Sequence, residues 1–254
     1  MAQLHRDRRC QRQGDRIVDA VGSPLRGRPR TALGVDQSLR SGAQRLGARR
    51  HSSPDFQVHQ RRQEAAADAR RARRGFKRPT DIAWLPDGTF FVSDGYGNTR
   101  VAKFDKNGKF LMTWGTPGTG NGQFNTPHSI ATDKNRRVYV SDRANNRIQV
   151  FDENGKYLDQ FPNITQPYNI HVSADQYLWV FSGPLDKMLK YDLNGKLLYA
   201  WGTHGTAPGL FWAVHSFSAD TDGNLYTAEV FGGRPQKFRP KPGADPAKVF
   251  HPQP

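Results

Sequence analysis

One cysteine, Cys10, stands in a chain of 254 residues. A lone thiol excludes an intramolecular disulfide framework and any cysteine-rich metal cluster. No apolar run approaches the length of a membrane-crossing helix. The residues after Met1, AQLHRDRRCQRQGDR, lack the apolar core of a signal peptide. The sequence as written is therefore expected to be soluble and unexported, which leaves its location unknown and a periplasmic or secreted parent protein open. A helical period is missing throughout 76–250.

Lysine, tyrosine and tryptophan are absent from residues 1–74, which hold 18 arginines and 7 acidic residues, net +11. Residues 75–254 use 12 lysines and 8 arginines against 16 acidic residues, net +4. An arginine-rich tail is the usual partner of nucleic acid, because its cations neutralise phosphates and release counterions. The abrupt change of composition also suits a shifted reading frame. Codon degeneracy permits Ser53–Gly75 to be read as HQIFKFTNDGKKLLLTLGERG, a strand, turn and strand like those that follow. Residues 1–74 are expected to be out-of-frame sequence or a real disordered tail, with a folded N-terminal domain as the remaining alternative. A nucleic-acid partner is implied only if the segment is real.

What the chain does have is a repeat. Pro79, Pro127, Pro167 and Val214 open four similar units, spaced by 48, 40 and 47 residues. The first unit reads PTDIAW, LPDG, TFFVSD, GYGN, TRVAKF, DKNG, KFLMTWG; the second begins PHSIAT, the third PYNIHV and the fourth VHSFSA. Each segment is short, β-branched or aromatic, and bounded by Asp, Asn or Gly. The Asn-Gly pairs in DKNG (105–108), DENG (152–155) and DLNG (192–195) sit where a tight hairpin calls for positive φ. Short antiparallel strands at this period predict an all-β fold, a β-propeller with about four blades over 75–250 and a tail at 251–254. An open β-sandwich is the alternative.

The segments PTDIAWLPDGTFFVSDGYGNTRVAKF and FNTPHSIATDKNRRVYVSDRANNRIQVFDENGKYL resemble NHL repeats. Within that group they are similar to the peptidyl-α-hydroxyglycine α-amidating lyases and their bacterial relatives, over roughly 76–240. The resemblance implies a six-bladed ring, of which this chain holds part, and a zinc ion held by three channel histidines. His128 in TPHSIAT and His215 in AVHSFSA match two of these ligands; the third would fall upstream, where no such motif can be read. Tyr96 matches the tyrosine of the DGY motif that serves the lyases in catalysis. Arg143 matches an arginine that lies near their substrate, and a second arginine belongs to the missing blades. The family's calcium ligand is an aspartate where Ser216 stands here, which leaves calcium in doubt.

These residue types suit the chemistry. Zinc takes three protein ligands and keeps one position open, where a bound hydroxyl loses its proton. A tyrosine acts as a base only when its pKa falls from about 10. The plainer reading makes His128 and His215 ordinary blade residues, and Tyr96 and Arg143 packing and turn residues. Asp94, Asp142 and Glu229 end similar strands and read as turn-stabilising acceptors. His171, His204 and His251 have no repeat equivalents and carry no assigned role. Trp84, Trp114, Trp179, Trp201 and Trp212 read as core, since Trp-Gly recurs at one blade position. The glycine-rich GTPGTGNGQF (115–124) lacks the ending of a phosphate loop and reads as an inter-blade connection. Two functions remain open. One is a zinc-dependent lyase or its inactive remnant, acting on a peptide-like small substrate. The other is a non-catalytic propeller that binds a protein, peptide or nucleic-acid partner. A partial ring is also expected to leave two unpaired sheet edges.

Overall fold

A computed structural model describes residues 75–252; segment 1–74, with both readings of it, lies outside the described residues. Blade 1 is built from β1 (Asp81–Trp84), β2 (Phe90–Asp94), β3 (Arg100–Phe104) and β4 (Phe110–Trp114). A parallel pair, β5 (Thr116–Pro117) and β6 (Gln123–Phe124), lies in the glycine-rich connection. Blade 2 comprises β7 (Pro127–Thr132), β8 (Val138–Asp142), β9 (Arg147–Phe151) and β10 (Tyr157–Phe161). Blade 3 comprises β11 (Pro167–Val172), β12 (Leu178–Ser182), β13 (Lys187–Tyr191) and β14 (Leu197–Trp201). Blade 4 has three strands, β15 (Val214–Ala219), β16 (Leu225–Glu229) and β17 (Pro235–Phe238). Within each blade, strands consecutive in sequence pair antiparallel. Helix among the described residues is limited to two 3-10 turns, Arg143–Asn145 and Pro246–Lys248. The fold is a β-propeller of four blades.

The hairpins differ from the expected geometry in one respect. In 105–108 the Asp105 carbonyl accepts the Gly108 N–H at 3.0 Å, and Asp105 Oδ1 accepts the N–H groups of Asn107 and Lys109 at 2.9 and 2.8 Å. Gly108 alone takes positive φ, at 79°, while Asn107 does not. The same holds at 152–155 and 192–195. These are type I turns followed by a left-handed residue, not turns that need positive φ at both Asn and Gly. The aspartate carboxylate closes the turn, which frees the asparagine from its expected role.

Blades pack face to face through one equivalent row of residues. In blade 2 the row Thr132, Val138, Phe151, Tyr157 runs across the four strands. Val138 and Phe151 are fully buried against Ala83, Leu85, Phe91 and Val101 of blade 1. Leu178 and Tyr191 do the same against Tyr139, Ile148, Val150 and Phe161 of blade 2. Leu225 and Phe238 pack on Trp179, Phe181, Met188 and Trp201 of blade 3, and Phe250 fills the same cluster. The matching row of blade 1 is Trp84, Phe90, Phe104, Phe110. Its rings pack against one another, Phe90 stacked on Phe104 and Phe110 edge-on to it, but Trp84 is 56% exposed and Ile82 beside it is exposed too. Among the described residues no blade stands in front of this face of blade 1. The tryptophans divide: Trp114, Trp179 and Trp201 join the core, whereas Trp84 and Trp212 are exposed, against the core reading made for all five.

Two features lock the innermost strands around the channel. Arg78, Thr126, Gln166 and Ala213, each just before its strand's opening Pro or Val, all have positive φ. A left-handed non-glycine residue costs about 1–2 kcal/mol, and a following proline ordinarily favours extended backbone. The corner recurs in every blade because it turns the chain sharply into the channel. Just past it, a chain of hydrogen bonds crosses all four blades. The Phe217 N–H donates to Asn169 Oδ1 at 3.2 Å, Asn169 Nδ2 to Ser129 Oγ at 3.2 Å, and Ser129 Oγ to Asp81 Oδ2 at 2.6 Å.

Candidate functional site at the channel mouth

The residue after each opening Pro or Val sits at one equivalent position: Thr80, His128, Tyr168 and His215. These side chains converge because the left-handed corners place all four at the same end of the channel. The Thr80 hydroxyl donates to the Pro127 carbonyl at 2.8 Å, and His128 Nδ1 lies 2.6 Å from the Tyr168 carbonyl. Blades 1 and 2 thereby each grip the start of the blade that follows. The loop after β2 carries Tyr96 to the same place, and Arg143 begins the 3-10 turn that follows β8.

All four residues singled out by sequence meet here. A carbonyl only accepts, so His128 Nδ1 must carry the proton and Nε2 must be the acceptor. Tyr96 Oη therefore donates to His128 Nε2, at 2.8 Å. Arg143 Nη1 donates to the same Tyr96 oxygen at 3.2 Å. The imidazoles of His128 and His215 lie 4.7 Å apart, centroid to centroid, at 72°. Burial pushes His128 down to about 4; the bond to the Tyr168 carbonyl opposes that fall, and the charges of His215 and Arg143 deepen it. Burial, helped by Arg143, also lowers His215. Both rings are thus held neutral near pH 7, the state in which imidazole accepts hydrogen bonds or binds metal.

Two further residues belong to this mouth. The Tyr168 ring lies 5.7 Å from both histidine rings and 5.1 Å from the Arg143 guanidinium carbon. The repeat itself held that signal, since Tyr168 occupies the histidine position of its blade. Arg78 lies 5.6 Å from the Tyr96 ring centroid and donates to the Tyr96 carbonyl at 3.4 Å. No spacing rule marks it.

The carboxylates at the strand ends act as acceptors within the turns. Asp142, fully buried, takes hydrogen bonds from the Asn125 N–H, Asn145, Arg147 and Gln149. Asp94 does the same for the Lys77 N–H, Asn98 and Arg100, and Glu229 for Arg234 and Gln236. Arg147 and Gln149 also clasp Gly120, Gly122 and Gln123, so the glycine-rich loop is pinned to blade 2. A cavity of about 330 Å³ lies elsewhere, lined by Asp81, Trp84, Thr132, His171 and Phe250, and none of the site residues borders it.

The donor set can be tested against zinc. His128 and His215 offer two imidazoles whose centroids lie 4.7 Å apart, with both nitrogens of His128 already hydrogen-bonded. Among the described residues no group of three His, Cys, Asp or Glu side chains stands at metal-binding distance. The described donors fall one short of a three-ligand zinc site, and Ser216 is exposed where a calcium ligand was sought.

Comparison with known proteins supports the repeat assignment. The NHL repeat family matches residues 124–151, the segment from the end of the glycine-rich loop through β9. The chain is an NHL-repeat β-propeller. This NHL propeller is 32% identical over 188 residues to peptidyl-glycine alpha-amidating monooxygenase A of Xenopus laevis, covering 66% of the chain and 20% of that protein. It is 34% identical over 101 residues to peptidyl-alpha-hydroxyglycine alpha-amidating lyase 1 of Drosophila melanogaster, covering 35% and 18%. Human NHL repeat-containing protein 3 is 38% identical over 91 residues, covering 35% and 26%. The chain spans about a fifth of the length of the amidating monooxygenases it matches.

Proposed function

We propose that the channel mouth is a lyase-type site for a peptide-like substrate ending in an α-hydroxyglycine, in a form poor at holding zinc. The observation that carries this reading is the shared tyrosine oxygen: Tyr96 Oη donates to His128 and accepts from Arg143. A phenol so placed is oriented by the imidazole that accepts from it, while a guanidinium faces the oxygen that must carry negative charge when the phenol acts in proton transfer. Tyr96 is thus the proton-transfer group, His128 its partner and Arg143 the charge stabiliser. In the lyases that the chain resembles, zinc would acidify the substrate hydroxyl. With two histidines the ion is under-coordinated, so its affinity and its effect on a bound hydroxyl both fall.

The test is purified protein, zinc content by mass spectrometry, and turnover of α-hydroxyhippurate. Well under one zinc per chain, and turnover near background that does not change in His128→Ala, are expected. Stoichiometric zinc, with turnover abolished by His128→Ala, would mean that a third ligand has been overlooked. A second reading, a non-catalytic propeller that binds a peptide or protein through this face, is favoured by the incomplete donor set. It predicts binding of peptide C-termini without turnover.

A further inference from the structure

The innermost strands meet a second time, away from the mouth. The mouth gathers their opening residues, whereas the cavity of about 330 Å³ is bordered by later ones: Trp84 of β1, Thr132 of β7, His171 of β11 and Ser218 of β15. All four blades thus contribute to its wall, and Phe250 beyond blade 4 joins them. A pocket of this size, mostly apolar and holding a few polar groups, suits a small organic ligand.

Asp81 is the only carboxylate that borders the cavity. Its side chain crosses to blade 2. Oδ2 accepts from Ser129 Oγ at 2.6 Å and from the Ile130 N–H at 3.1 Å, while Oδ1 accepts the Ile82 N–H at 2.8 Å. Ile82 and Ile130 border the cavity too, which sets the carboxylate at its wall. Each carboxylate oxygen has two acceptor sites, so Oδ2 is filled and Oδ1 has one place left. The buried carboxylates Asp94 and Asp142 have Arg100 and Arg147 at 3.0 and 2.8 Å. Among the described residues no Lys, Arg or His lies within ion-pair distance of Asp81. His171 is pushed below its usual 6.5 by burial, although the Asp81 charge opposes the fall. Near pH 7 it therefore supplies no counter-charge.

An anion without a counter-charge in a mostly apolar recess is costly, and a cationic ligand offsets that cost. A metal ion is poorly served. Calcium takes about six to eight oxygens, and among the described residues no three His, Cys, Asp or Glu side chains stand at metal-binding distance. An organic ammonium needs less: one N–H reaches Oδ1, and an aromatic face attracts the charge and covers the apolar remainder. Trp84, 56% exposed, offers that face.

We propose that the cavity binds a small organic ammonium ion carrying an apolar group, its head on Asp81 Oδ1 and its apolar part on Trp84. The site is separate from the mouth, since Tyr96, His128, Arg143 and His215 do not border it. It stands whether or not the lyase-type reading does.

The experiment is amide NMR titration of the full chain with phenethylamine, phenethyl alcohol, methylamine and calcium chloride. Phenethylamine should shift the Ile130 and His171 amides saturably. Phenethyl alcohol keeps the ring and loses the charge; methylamine keeps the charge and loses the ring. Each should bind at least tenfold more weakly. Asp81→Asn should weaken phenethylamine at least tenfold and leave phenethyl alcohol unchanged. Ser218→Leu adds bulk to the cavity wall, leaves the Asp81 bonds in place, and should weaken both. Thermal unfolding reports whether each variant is folded. Equal affinity for amine and alcohol overturns the proposal, as does unchanged amine affinity in folded Asp81→Asn. Should Asp81→Asn fail to fold, Ser218→Leu decides, and full amine affinity there overturns it. Calcium bound more tightly than the amine overturns it too, and so do shifts centred on His128 and Tyr168 instead.

Discussion

His128 shows how one side chain joins stability to chemistry. Its imidazole is buried, bonded on both nitrogens, and held near a pKa of about 4 against the usual 6.5. Between those values the unfolded chain binds more protons than the folded one, so stability rises with pH across the window. Below about pH 4 both states are protonated and the contribution is gone. The full gap corresponds to about 3 kcal/mol, at 1.36 kcal/mol per pKa unit. Urea unfolding at pH 4.5 and 7.5 should show this loss in the parent protein. His128→Gln should shrink it by half or more, with His171 and His215, also lowered by burial, supplying the rest. An equal acid loss in His128→Gln would remove His128 from the explanation. This residue was legible because it recurs with His215 at one repeat position. Arg78 was not, because its place at the site depends on a left-handed corner before a proline, which local preference disfavours.

At the scale of the element, the turns and strand ends carry the specificity. Asp142 gathers four donors from its own turn, the next strand and Asn125, which directly follows the glycine-rich loop. Removing one partner from a buried pair leaves the other charged and uncompensated, at a cost of about 3–5 kcal/mol. Asp142→Asn should therefore lower stability by roughly 3 kcal/mol, and faster proteolysis in 115–124 should accompany the change. If only global stability falls, with no local nicking, the clasp on that loop is not the main role of Asp142. The period and the hairpins were readable because each strand is short and punctuated by Asp, Asn or Gly. The turn type was not, because Asp-Lys-Asn-Gly and its relatives suit two geometries. The choice was made by Asp Oδ1, whose bonds to the backbone form only once the turn closes.

For the whole molecule, the row Trp84, Phe90, Phe104, Phe110 repeats the blade-docking face of blades 2 and 3 without a described blade in front of it. Trp84 and Ile82 on this face are exposed and the three phenylalanines half-buried, and an apolar face of this kind favours association. Sedimentation of the full chain should show concentration-dependent self-association, reduced by Trp84→Gln. A monomer at all accessible concentrations would mean that this face is covered. The four-blade pattern was visible in the spacing, whereas the face without a described neighbour was not. Alternation alone does not say which side of a blade lacks a neighbour.

The hydrogen bonds from Phe217 through Asn169 and Ser129 to Asp81 all point the same way. Each donor is polarised by the acceptance of the one behind it, and the series ends on a carboxylate. Such a row behaves as an aligned set of dipoles, with the charge of blade 1 drawing on a proton in blade 4. Neutralising the terminus in Asp81→Asn should relax every link in turn. The amide proton of Phe217, three blades away, should then move upfield in the NMR spectrum while its neighbours stay put. A shift confined to Ser129 and Ile130 would show that the blades are latched pairwise and carry no common polarisation.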